Sequence, residues 1–117
     1  MGNEGEYVFV VANNTEGIDR TLPICEFKEQ EGTTLVLKKE IADQLKLTYD
    51  YIASWITLKI HSSLETVGLT AIVSTELAKH NISCNMVAGY YHDHLFVDRK
   101  DAERATRILS ELSENCQ

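Results

Sequence analysis

Residues 55–112 change hydrophobic period in a fixed order, strand-like, helix-like, strand-like twice and helix-like again, and that order leaves few folds open. Trp55-Ile56-Thr57-Leu58-Lys59-Ile60 alternates, with Ile56, Leu58 and Ile60 on one face and Thr57 and Lys59 on the other. A helix is predicted from Ser63 to His80. Ser62 and Glu65 have the spacing of a capping box, in which each side chain satisfies a backbone N–H at the helix start. Leu64, Val67, Ala71, Ile72 and Ala78 are its expected buried stripe, and Asn81 is a stop signal. Residues 82–90 and 95–97 read as two further strands. A closing helix spans 101–112, with Ala102, Ala105, Ile108, Leu109 and Leu112 inward and Glu103, Arg104, Arg107 and Glu111 outward.

A helix joining two strands of one sheet needs a right-handed crossover. Repeating that unit gives an α+β ferredoxin-like sandwich, an antiparallel sheet with its helices on one face. The second half lacks a final strand, so a strand from residues 7–37 is expected to fill that edge and fuse the halves into one body. The first half supplies candidates. Tyr7 to Ala12 reads as a buried strand, and Asn13 to Gly17 breaks it. Ile24 to Lys28 and Thr33 to Leu37 form a hairpin about Glu31-Gly32, and a short helix is predicted over 40–47 with Ile41, Ala42 and Leu45 at helical spacing. No flexible linker separates the halves: the single proline is Pro23, and residues 48–54 are not rich in Gly or Ser.

Charge narrows the partners. With 18 acidic against 11 basic side chains the net charge is −7, a field that repels phosphate backbones and anionic lipid heads. Neither nucleic acid nor membrane is therefore expected. No run approaches the length of a membrane span, and Met1 to Glu6 has no signal-peptide character, so the expected compartment is the cytoplasm. Cys25, Cys84 and Cys116 are too few and scattered for a disulfide framework. Cys84 lies in an apolar strand, Cys116 near the end of the chain, and Cys25 has only glutamate and lysine nearby; no GxSxG, P-loop or GxGxxG fingerprint occurs, so no catalytic residue and no cofactor is assigned.

Two stretches carry possible chemistry. His61 to Thr70 is a strand-to-helix junction whose N–H groups and partial positive charge suit a carboxylate or phosphate. Ser62 and Ser63 add hydroxyls, and Gly68 lets another group approach closely. The plainer alternative is that Ser62 only caps and Gly68 only permits packing. The second stretch is Gly89 to Val97, at a bend between strands. His92 and His94 share a face on a regular strand, and with Cys84 or His61 they could hold zinc. A hairpin bend with solvated histidines is the more frequent arrangement, and no metal site is assigned. Asp93 can pair with a cation such as an α-amino group.

The run SSLETVGLTAIVSTELAKHNISCNMVAGYYHDHLFV resembles small bacterial-type tandem ACT proteins, relatives of the ACT domains in CASTOR-type arginine sensors. GEYVFV, PICEFKEQEGTTLVL and WITLKIHSSLE fit the same group in the same order. The resemblance implies two ACT lobes, a partial one over 1–54 and a second over 55–117. It implies a regulatory or sensor module, homo-oligomeric, that binds a small ligand such as an amino acid at a lobe or subunit interface. By position, Ser62, Ser63, Leu64, Val67 and Gly68 match the ligand-receiving loop and glycine, and Asn85, Met86 and Val87 match the facing strand. Asp93 falls where the arginine-sensor relatives place a ligand-contacting aspartate. The Asp and Pro typical near the glycine are replaced here by Ser62, Ser63, Thr66 and Val67, which leaves the ligand's identity open. Members of the group carry a further strand and helix ahead of the GEYVF motif, so the first lobe is expected to be truncated and its ligand site lost. The alternative to a sensor is a structural module that recruits a protein partner and binds no small ligand.

Overall fold

Alternating β-branched and aromatic residues build six antiparallel strands backed by helix. The computed structural model describes residues 2–58 and 68–115, with residues 69 and 113–115 as backbone. The chain divides into two compact units, Gly5–Ala53 and Met1–Glu4 with Ser54–Gln117. None of the described helices is long and apolar enough to cross a membrane.

The first unit contains β1 (Tyr7–Ala12), β2 (Cys25–Lys28), β3 (Thr33–Lys38) and α1 (Lys39–Gln44). The strands lie in the order β2-β3-β1, and both pairings are antiparallel. Period-two alternation sends Val8, Val10 and Ala12 of β1 and Leu35 and Leu37 of β3 to one face, where they bury Ala42 of α1. Ile18, Ile41, Leu47, Tyr49 and Ile52 pack around that cluster. The short helix ends before its expected limit. Lys46 adopts φ 57°, its N–H reaches the Asp43 carbonyl at 3.1 Å, and the Leu47 N–H reaches the Ala42 carbonyl at 2.9 Å. These two bonds make a Schellman stop that turns Leu47 onto the core and leaves Leu45 37% exposed. A lysine in the left-handed position gives no glycine signal to read.

The second unit contains β4 (Ile52–Leu58, from Ser54 onward), α2 (Leu69–Lys79), β5 (Cys84–Ala88), β6 (Asp93–Asp98) and α3 (Ala102–Asn115). A single 3-10 turn, Arg99–Asp101, leads into α3, and the Asp98 carboxylate accepts from the Lys100 N–H at 3.1 Å. The strand order is β4-β6-β5. One cluster gathers Ile56, Leu95 and Val97 from the sheet, Val73 and Leu77 from α2, and Ala105 and Leu109 from α3. Both helices therefore cover the same face, as expected.

The α2 stripe differs from its sequence reading. Ala71, Ile72 and Ala78 are exposed, and the buried pair is Val73 and Leu77 at i, i+4. Leu64 and Val67 lie outside the described residues. Asn81 does end the helix: at φ 60° it donates to Ala78, and Ile82 donates to Leu77, both at 3.0 Å.

The two units share one wiring, with β1, β2, β3 and α1 repeating the roles of β4, β5, β6 and α3. Where the second unit inserts α2 between its first two strands, the first has turns over residues 13–24. Ile18, from that segment, packs on the first unit's cluster. The strand expected from residues 7–37 at the edge of β4 is β1. β1 pairs only with the first two residues of β4, Tyr7 with Ala53 and Val8 with Ile52. Farther along β4, Gly2 bridges Ile56, and the Asn3 N–H donates to the Trp55 carbonyl at 2.9 Å.

Candidate functional site

In the second unit the right-handed β4-α2-β5 crossover brings the end of β4, the start of α2, the end of β5 and the start of β6 to one end of the sheet. Gly68 sets where α2 begins. Its φ of 88° and ψ of 2° are left-handed, so the helix cannot run through it, and the first helical bond goes from the Ile72 N–H to the Gly68 carbonyl at 2.9 Å. The described helix starts at Gly68–Leu69, and the start foreseen at Ser62–Ser63 lies outside the described residues. Ser62, Ser63, Leu64 and Val67, with the capping-box partner Glu65, lie outside the described residues. Gly68 has no side chain with which to cap the first turn, no acidic residue stands in that turn, and among the described residues nothing comes within 4 Å of the place a Cβ would occupy.

The facing strands sort the remaining candidates onto two faces. Register pairs Cys84 with Val97, Met86 with Leu95 and Ala88 with Asp93 on the helix-covered face. Met86 packs there against the cluster, and its sulfur accepts from the Ser74 hydroxyl of α2 at 3.9 Å. Asp93, half-buried, follows the same alternation at the end where α2 starts. Asn85, exposed, and Val87, half-buried, are paired with Phe96 and His94 on the opposite face. The structure thus brings Gly68, Met86 and Asp93 to the helix side and turns Asn85 and Val87 away from it.

That opposite face holds a polar cluster that sequence reasoning missed. The Trp55 indole N–H donates to Nδ1 of His94 at 3.0 Å, and the Thr57 hydroxyl lies 3.3 Å from the same nitrogen. Asn3 Nδ2 donates to Thr57 Oγ1 at 2.9 Å and to the Trp55 carbonyl at 3.2 Å. Burial pushes the His94 pKa below the ordinary histidine value; the neighbouring His92 pushes the same way, and Asp93 opposes. The available signal was the matched period of Trp55 and Thr57 on one strand and His94 and Phe96 on another. His92 and His94 do meet, with ring centroids 6.2 Å apart. Cys84, on the other face, cannot join them, and His61 lies outside the described residues. Among the described residues no three His, Cys, Asp or Glu side chains gather as a metal group. Cys25 and Cys84 are free thiols, and Cys116 lies outside the described residues.

The two-unit wiring has counterparts. A family model described as ACT domain matches residues 1–54, and a second, also described as ACT domain, matches residues 51–111. The chain belongs to the ACT-domain family. The tandem ACT arrangement inferred from the sequence is thereby borne out, as is the α+β class. ACT domains are typical of regulatory, ligand-binding modules, and no catalytic family is indicated. A Vibrio cholerae protein of unknown function, described as a possible transport protein, is 46% identical with a TM-score of 0.87. That match covers 95% of this chain and 86% of the other. The ACT fold recurs in an Agrobacterium tumefaciens protein, at 18% identity, TM-score 0.68 and coverage of 92% and 82%. It recurs also in the alpha and beta subunits of an aspartokinase, at 13% identity, TM-score 0.67 and coverage of 95% and 94%. None of the curated proteins matches the chain.

Proposed function

We propose that this ACT protein is a regulatory module that binds a free amino acid in its second unit, with the ligand carboxylate at the start of α2 and its ammonium at Asp93. The observation that carries the reading is Gly68, a left-handed residue with no described neighbour crowding it, opening an 11-residue helix at the same end of the sheet as Asp93. Backbone N–H groups and the helix field favour an anion there. Ser62, Ser63, Leu64 and Val67, which precede that start in sequence, are the further ligand contacts of this proposal, and Met86 supplies an apolar wall. Asn85 and Val87, on the far face of the edge strand β5, contribute where two copies of the chain meet in a homo-oligomer. The free thiols Cys25 and Cys84 suit a reducing cytoplasm.

Charge-assisted hydrogen bonds contribute about 1.5–3 kcal/mol each, so two of them, about 3–6 kcal/mol together, support affinity from the millimolar range to tens of micromolar. Titration calorimetry with a panel of amino acids, arginine included, tests this. One amino acid should give heat and raise the melting temperature, and Asp93→Asn should weaken it about tenfold or more. No heat and no stabilisation with any amino acid removes the reading.

A second reading has its own support. Val11 and Phe27 are 66% and 68% exposed, and both flank Thr34 of β3 in register. An apolar pair on a sheet face suits a protein partner without any small ligand. A light-scattering mass that stays fixed whatever metabolite is added favours this alternative.

A further inference from the structure

Strand alternation places Trp55 and Thr57 of β4 beside His94 and Phe96 of β6, on the face away from the helices. The indole stacks on Phe96, with centroids 6.4 Å apart and planes 22° apart, and meets His94 at 5.6 Å. An indole N–H can only donate. Its 3.0 Å bond therefore makes His94 Nδ1 an acceptor and puts the imidazole hydrogen on Nε2. On its other side the ring lies close to Gly89, where a Cβ would stand 3.1 Å from Nε2 and 3.2 Å from Cδ2.

A protonated imidazole donates from both nitrogens. Two donors, Trp55 Nε1 and His94 Nδ1, would then face each other across 3.0 Å. An acceptor already stands close by. Thr57 Oγ1, 3.3 Å from Nδ1, accepts from Asn3 Nδ2, and a hydroxyl oxygen has a second lone pair for the new N–H. We propose that His94 is a proton switch: neutral, it accepts from the Trp55 indole; protonated, it donates Nδ1–H to Thr57 and releases the indole from the β5–β6 hairpin. The proton comes from solvent and stays on the imidazole, and no other bond is made or broken.

The groups that face His94 set the pH at which this happens. Among the described residues the charged neighbours are His92, which disfavours the imidazolium, and Asp93, which favours it, both on its own hairpin. From β4 come Trp55 and Thr57, from the N-terminal segment Asn3, and from β5 the register partner Val87. None of these four is charged. Burial adds to the resistance, so His94 stays neutral at neutral pH and takes its proton below 6.5. Because Asn3 bonds both Thr57 and the Trp55 carbonyl, the exchange also bears on the residues that bridge β4.

Trp55 is the only tryptophan in the chain, so its emission reports the switch directly. Emission of the intact protein is followed from about pH 7.5 to about pH 5 at fixed ionic strength, the range in which histidine titrates. The expected result is a one-proton shift to longer wavelength with its midpoint below 6.5. His94→Asn, which keeps an acceptor at the δ position and does not titrate, should flatten the curve. His92→Gln should retain the transition and move its midpoint upward. Emission that stays constant in the unmodified protein, or an unaltered transition in His94→Asn, overturns the proposal. If His94→Asn does not fold, the imidazole Cε1–H resonance of His94 in the unmodified chain decides. A midpoint below 6.5 supports the switch, and one at or above 6.5 overturns it.

Discussion

Arg104 reaches back across 24 residues to donate to the His80 carbonyl at 3.2 Å, tying α3 to the exit of α2. Its other nitrogen holds the Asp101 carboxylate at 2.9 Å, in a side chain only 11% exposed. Asp101 is the one buried charged residue among the described residues. Arg104→Met leaves that carboxylate without its cation and the His80 carbonyl without this donor. The expected loss is about 1–2 kcal/mol, below the value for a fully buried pair because the Arg104 side chain is 47% exposed. Arg104→Lys should recover less than half, since one ammonium lacks the planar fork that serves two acceptors. Urea denaturation followed by circular dichroism measures both.

The two apolar clusters predict separable core effects. Leu77 in the second unit and Leu37 in the first are each completely buried. Substituting either with alanine removes packed methyl groups and leaves a cavity, at a cost of about 2–5 kcal/mol. Ile72, on the same helix as Leu77 but 45% exposed, should lose less than about 1 kcal/mol as Ile72→Ala. Should Ile72→Ala prove as damaging as Leu77→Ala, the observed phase of α2 is wrong.

That phase also marks the limit of what the residues disclosed. The strands were readable because alternation is local: Val8, Val10 and Ala12, or Leu95 and Val97, point one way wherever the sheet curls. α3 was readable for the same reason, its apolar spacing matching Ala105, Ile108, Leu109 and Leu112 on the core. α2 was not, because Ser62 and Glu65 offered a capping pattern ahead of the glycine that opens the described helix. A left-handed residue resets the count, and the register of Val73 and Leu77 follows from Gly68. Of the candidate site, Asp93 and Met86 could be placed by alternation alone. The division of Asn85 and Val87 onto the other face was also implicit in that alternation, but the positional match to family members treated the strand as a single block. The Trp55–His94 bond joins residues 39 apart, and no periodicity along the chain shows which strands are neighbours.

In the first unit, Arg20 pins the turns over 13–24 to β2. Its guanidinium bonds both oxygens of Glu26, and its NH1 reaches the Thr15 hydroxyl at 3.0 Å. The Arg20 bond holds the Glu26 carboxyl below its ordinary value of 4.5. A carboxyl depressed in the folded state lends stability above its unfolded pKa and loses it as pH falls through the folded one. The turns should therefore stay anchored at neutral pH and loosen below 4.5. Amide exchange at Ile18 and Leu22, whose N–H groups close those turns, should quicken there. Glu26→Gln should show the faster exchange already at neutral pH.

Two glycines of the second unit predict opposite responses to asparagine. Gly68 sits at φ 88° with no described residue within 4 Å of a Cβ, so Gly68→Ala meets chiefly the backbone penalty of a left-handed L-residue, about 1–2 kcal/mol. Asparagine visits that region readily, and Gly68→Asn should recover much of the loss. Gly89 has the reverse constraint. Its N–H donates to the His92 carbonyl at 2.9 Å, and a Cβ there would stand 2.9 Å from the same oxygen and 3.1 Å from the His94 ring. Gly89→Ala must push the hairpin open, at about 1–3 kcal/mol, and asparagine brings the same Cβ to the same carbonyl. Thermal melts of the four variants separate the cases. Rescue by Gly89→Asn, or none by Gly68→Asn, contradicts the conformations assigned to these turns.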